Sequence, residues 1–296
     1  MEYFVETFLE LENAINIALP NSIIHLKDGN YYGKLKITRS DITLIGDGND
    51  CIISNKDYYN KIHNDNKEYL TVRTYTVLVM GNNVTFKNIT ISNLSVPSSI
   101  YGQAVALEVM GDNFNCYNCK LLGAQDTLLC GPLPYDLTVR YKDLLPKDEL
   151  LTNISNQYYE SCYIEGDVDY IFGCGKAIFN KCILHSIGNG YFAAPSHPKE
   201  YDFGFIFNEC ILEASPNVNN VILARPWRDY GHVIYINNKV RGNFLNKSLF
   251  NNWVKEREST CRFYVDNTID ISSMVDFGHI LNKDEVNQIL AKISRK

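Results

Sequence analysis

Through the middle of the chain the apolar residues recur in an eight-residue pattern: VTFKNITI (84–91), FNCYNCKL (114–121), QYYESCYI (157–164), AIFNKCIL (177–184) and FIFNECIL (205–212), with VIYINNKV (233–240) as a weaker sixth copy. The sixth position holds Ile89, Cys119, Cys162, Cys182 and Cys210, at intervals of 30, 43, 20 and 28 residues. These intervals are the size of solenoid units, and Gly and Asn punctuate each unit. Short β-rich segments with turns between them, and almost no helical period in the same region, predict an all-β parallel β-helix whose equivalent side chains stack rung on rung. Helices are expected only at the ends. Thr7 with Glu10 forms a capping box before Phe8, Leu11, Ile15 and Ala18, and Pro20 closes that segment; Asn282 with Glu285 opens a second helix over 283–295. The first is expected to plug the open end of the coil. One domain over residues 1–296 is expected.

Composition narrows the partners. The 296 residues are 45% hydrophobic and 21% charged, which suits a folded chain with a sizeable core. A net charge of −6 supplies no basic field for nucleic acid or an anionic membrane. The opening MEYFVETFLELENA lacks the positive, apolar character of a signal peptide, so a cytoplasmic protein is expected, or a secreted one if a leader has been removed. No run approaches the roughly 18 apolar residues of a membrane span. A monomer is expected. Nine cysteines make a poor disulfide framework and read as buried thiols. Cys116 and Cys119 have the spacing of half a zinc site, but residues three apart in a strand point to opposite faces, so a core role is expected and no metal or other cofactor. His185, His197 and His232 lack ligand spacing and read as structural or subsite residues.

The repeat also places chemistry. Asp126 follows Cys119 by seven residues and Asp169 follows Cys162 by seven, so the two acids occupy equivalent positions on consecutive rungs. Strands about 4.8 Å apart would bring them within roughly 5 to 6 Å, where both cannot ionise freely and one pKa rises. An acid beside a carboxylate is what acid and nucleophile catalysis needs. The insertion 131–154 is expected to form a wall of the cleft beside them.

The segments GQAVALEV (102–109), GAQDTL (123–128), GDVDYIFG (166–173) and LARPW (223–227) resemble the signature segments of pectin methylesterases, in the same order. The resemblance runs from about Phe4 to the Trp253 region and implies a right-handed parallel β-helix. It implies Asp169 as nucleophile, Asp126 as general acid and then base, Gln103 and Gln125 as the oxyanion hole, and Arg225 as the hydrogen-bond partner of the nucleophile. Trp227, Val168 and Phe172 would line sugar subsites, and Tyr170 and Tyr158 join them as candidates for substrate contact. The implied substrate is a methyl-esterified galacturonan or oligogalacturonide. Several positions depart from the family pattern: Ala124, Glu108, Tyr170 and Ala224 replace its usual residues, and Asp167 stands where a small hydroxyl residue is customary, adding negative charge near the nucleophile. An acyl-CoA thioesterase-like hydrolase, a β-helix glycosidase and an inactive carbohydrate-binding solenoid are the alternatives.

Overall fold

The computed structural model describes residues 1–150 and 153–293. The chain winds as a right-handed parallel β-helix with three sheets, seven complete coils giving one strand to each sheet. Eleven strands form a long sheet that starts at Glu2–Val5 and ends at Gly278–Ile280. Eight more, from Gly29–Tyr32 to Lys239–Arg241, form the second, and seven, from Leu35–Ile37 to Val221–Ala224, form the third. One coil illustrates the winding: Asn156–Glu160 lies in the long sheet, Tyr163–Gly166 in the second and Ile171–Gly173 in the third.

The predicted repeat is the rung register. Its third positions pair as Tyr159 with Phe179, Phe179 with Phe207 and Phe207 with Tyr235. Their rings stack inside the coil at centroid separations of 4.8, 4.8 and 4.5 Å, close to the rung spacing itself. The sixth positions form a second internal ladder. The thiols of Cys162, Cys182 and Cys210 point at the carbonyls of Cys116, Tyr159 and Phe179, and in the weakest copy the Asn238 amide donates to the Phe207 carbonyl at 3.0 Å.

Between these two ladders the chain turns a corner through one residue in left-handed conformation. Asn88, Asn118, Ser161, Lys181, Glu209 and Asn237 all have φ between 53 and 56°. This corner corrects one expectation. Cys116 and Cys119 do not point to opposite faces; both are buried inside the coil, because the turn at Asn118 breaks the period-two alternation.

The first helix, Phe8–Ile17, carries the predicted capping box and buries Leu11, Ala14 and Ile15 in the interior cluster at the N-terminal end of the coil. The second spans Lys283–Ile293, with Asn282 accepting from the Glu285 amide and the Glu285 carboxylate accepting from the Asn282 amide. It packs Val286, Ile289 and Leu290 on the outer face of the long sheet, against Ile178, Ile206 and Ile234. The predicted helical residues 294 and 295 lie outside the described residues, as do 151 and 152 of the insertion.

The insertion leaves the third sheet after Leu128–Cys130 and folds back over its outer face. Leu133, Leu137, Tyr141 and Leu145 cover Leu129, Phe172 and Ala194 there. Ion pairs tie its ends, with Lys36 reaching Asp148 at 2.9 Å and Glu149 at 2.7 Å, and Arg228 gripping Asp136 through Nε and Nη2.

Candidate active site

A second corner, between the second and third sheets, carries the stacked acids. Leu128 pairs with Ile171, so Asp126 and Asp169, each two residues earlier, sit level on neighbouring rungs, and the Asp126 amide donates to the Val168 carbonyl at 3.1 Å. Both have left-handed φ, 65° and 51°. Non-glycine residues adopt that conformation at a cost that the surrounding hydrogen bonds must hold in place, and such residues cluster at functional sites.

Both acids are buried, at 8% and 5% exposure, yet both line a cleft of about 410 Å³. Arg225 follows the strand Val221–Ala224 and donates from Nε to Asp169 Oδ1 at 2.8 Å and from Nη2 to Oδ2 at 2.6 Å. This fork holds both carboxylate oxygens in one plane. Burial raises the Asp169 pKa, and Arg225 pulls it back. Asp126 has no such partner. Burial first, and then the charge of Asp169, push its carboxyl well above the usual range. The pair is therefore split: Asp126 holds a proton under conditions where Asp169 is the more readily ionised.

Gln103 and Gln125 line the same cleft and are joined by a parallel bridge between their backbones. Neither side-chain amide is engaged by a hydrogen bond among the described residues, so both are free to donate into the cleft. Phe172 and Trp227 also face it, in an edge-on contact with centroids 5.7 Å apart. From the insertion, Leu133, Leu137, Arg140 and Tyr141 supply one wall, as the sequence leads one to expect.

Three of the expected substrate contacts lie elsewhere. Tyr170 is fully buried inside the coil, with its ring against Phe192 and its hydroxyl 3.4 Å from Ser186. The left-handed turn at Asp169 sends both Tyr170 and Ile171 inward and leaves Phe172 as the first residue facing out. Tyr158 projects from the long sheet, where its hydroxyl accepts from the Asn180 amide at 3.2 Å. Val168 is half-buried and does not line the cleft. Asp167 serves as a latch. Its carboxylate accepts from the Val168 amide at 2.6 Å and from the Ser98 hydroxyl, tying the segment before Gln103 to this corner, and its charge raises the pKa of both acids slightly further. Glu108 lies buried on the outer face of the third sheet, paired in register with Leu78 and Leu129, and does not reach the cleft.

Tyr191 and Trp253 are not legible in the sequence as site residues. Both contact Arg225, and neither belongs to a motif or to a repeated position. Among the described residues no group of three or more His, Cys, Asp or Glu is arranged to hold a metal ion. His197 is buried between the Gly175 carbonyl and the His232 amide, and burial lowers its pKa to about 3.

A family profile described as Pectinesterase matches residues 7–131 and 137–272. A probable pectinesterase/pectinesterase inhibitor of Arabidopsis thaliana is 29% identical over 265 residues, covering 83% of this chain and 35% of the relative. Pectinesterase A of Emericella nidulans is 34% identical over 165 residues, covering 53% and 44%. The chain thus spans about a third to a half of the length of the curated relatives it matches. Among solved structures, a pectin methylesterase from carrot superposes with a TM-score of 0.76 at 20% identity over 94% of this chain and 85% of that one, and one from Yersinia enterocolitica with 0.72 at 23% over 93% and 94%. With a profile that extends over most of its length and a fold shared with these enzymes, the chain belongs to the pectinesterase family.

Proposed function

We propose that this protein is a carboxylic ester hydrolase that removes methyl esters from galacturonate units of pectin or pectic oligosaccharides and releases methanol. The observation that carries this reading is the unequal pair of stacked aspartates, one gripped by Arg225 through two hydrogen bonds and the other buried with no cation hydrogen-bonded to it. One solved relative was captured as a pectin methylesterase in complex with a hexasaccharide, and a cleft walled by aromatic side chains suits a sugar chain here as well.

In this mechanism the Asp169 carboxylate attacks the C6 carbonyl carbon of the ester, and the carbonyl π electrons move onto oxygen. The amides of Gln103 and Gln125 donate to that oxyanion, a contribution of typically about 3 kcal/mol per donor in such sites. As the tetrahedral species collapses, the bond to the methoxy oxygen breaks and Asp126 gives its proton to departing methanol. An anhydride joins Asp169 to the sugar. Asp126, now ionised, takes a proton from water as that water attacks the anhydride. The bond from C6 to Asp169 breaks, the product leaves as the uronic acid and gives its proton to solvent, Asp169 is again a carboxylate and Asp126 is again an acid.

The test is to incubate the protein with methylated trigalacturonate and, separately, with an acyl-CoA. Methanol release without new reducing ends is expected from the first. Free thiol from the second, with no methanol from the first, would replace the reading with a thioesterase.

A further inference from the structure

We infer that Tyr191 and Trp253 are positioning residues for Arg225, forming an aromatic clamp that keeps its guanidinium edge on the nucleophile; the inference rests on the ester-hydrolase reading above. The guanidinium carbon lies over the Tyr191 ring, 3.9 Å from its centroid, and over the Trp253 ring at 4.0 Å. A guanidinium donates hydrogen bonds only from its edge, and its faces are weakly hydrated. In Arg225 the edge meets Asp169 through two nitrogens, and the rings lie against the remainder. They displace water from the cation and leave little room for its plane to rotate away from the carboxylate.

The rings arrive from two places that the chain fixes independently. Tyr191 stands on the strand Gly190–Pro195, in register with Ile222 on the neighbouring strand that leads into Arg225. Trp253 comes from the segment that covers the edge of the third sheet, anchored by bridges from Val221 to Leu245 and from Ala224 to Phe250. The Asn251 amide donates to the Ala224 carbonyl at 3.1 Å, and the Trp253 amide donates to the Asn251 side chain at 2.8 Å, with Trp253 itself in left-handed backbone at φ 59°. Trp253 also lines the cleft. It is 39% exposed, and its ring is engaged with Arg225 and, at 6.0 Å, with Arg257, which is the contact that assigns it to the arginine.

A clamp and a sugar platform respond differently to loss of the ring. Trp253→Ala, Trp253→Leu and Trp253→Phe, together with Tyr191→Ala, are to be assayed for methanol release from methylated oligogalacturonide across pH. For Trp253→Ala and Trp253→Leu the clamp predicts a fall in kcat of roughly tenfold with KM nearly constant. It also predicts a rise of about one unit in the pH midpoint of the acidic limb, because a wandering guanidinium no longer stabilises ionised Asp169. Trp253→Phe should recover most of the loss, and Trp253→Leu, which keeps apolar cover without a π face, should not. A raised KM with unchanged kcat and an unmoved pH profile would overturn the proposal in favour of a sugar platform. Independently of turnover, the Arg225 Nε proton, followed by NMR, should be protected from exchange in the wild type and lose protection in Trp253→Ala; equal protection in both would also overturn it. A wild type that releases no methanol would defeat the proposed reaction, whereas an active wild type matched by Trp253→Ala would defeat the clamp alone.

Discussion

Two corners of the coil use the same backbone conformation for different ends. Where the long sheet meets the second, six residues in left-handed φ turn the chain rung after rung, and all six are exposed. Asn, Ser, Lys and Glu all occupy this corner, because each position is exposed to water. Where the second sheet meets the third, Asp126 and Asp169 adopt the same conformation and are buried. The difference lies in what covers the corner: the segment latched by Ser98 and Asp167, the insertion 131–150 and Arg225. A turn aspartate becomes a catalytic candidate through its cover, which removes water and raises its pKa, and not through its turn.

That comparison can be broken most severely at Asp169. Asp169→Asn removes the attacking oxygen while keeping the shape, and methanol release should fall by about a thousandfold or more, with oligosaccharide binding retained. Unchanged turnover would reject the nucleophile assignment. Asp126→Asn should lower kcat by roughly 10²- to 10⁴-fold, as expected for loss of a general acid.

The same variant sharpens the contrast through stability. Asp126 has a folded pKa above its unfolded value, so folding is penalised once pH rises past the unfolded pKa of about 4, and the penalty grows until the folded pKa is reached. Asp126→Asn should therefore melt at a higher temperature than wild type at pH 7, and the two should converge below pH 4. A mutant that is less stable at pH 7 would show that the buried acid is not held neutral.

The interior ladder is next in size. Phe179→Ala removes a ring stacked on both Tyr159 and Phe207 and should cost about 3 to 5 kcal/mol in urea unfolding. A loss under 1 kcal/mol would mean that the rungs are held by backbone pairing alone. At the solvent corner, Lys181→Ala should change stability by less than about 0.5 kcal/mol and leave methanol release intact. A tenfold loss of activity there would remove the distinction between the corners.

Much of the site is legible in the sequence. Counting seven residues from Cys119 and from Cys162 pairs Asp126 with Asp169, and the count is reliable because parallel rungs repeat positions in strict register. Gln103, Gln125 and Arg225 follow from motif resemblance and gather in the same cleft. Both capping boxes involve residues three apart and are legible for that reason. The errors share one cause. Strand alternation puts Cys116 and Cys119 on opposite faces, and the candidate set puts Tyr170 beside Phe172 at the substrate. A left-handed residue undoes both; Asn118 and Asp169 are of types that tolerate that conformation, but the residue type permits the turn without dictating it.

The sequence by itself determined the periodic part of this protein: the coil, its ladders of Cys and aromatic side chains, and the stacking of two acids on adjacent rungs, because these depend on spacing along the chain. Only the tertiary structure decided how Asp126 and Asp169 come to differ. Arg225 and Tyr191 come from later rungs of the third sheet, Trp253 and the insertion come from segments outside the repeat, and burial and charge depend on which of these meet in space.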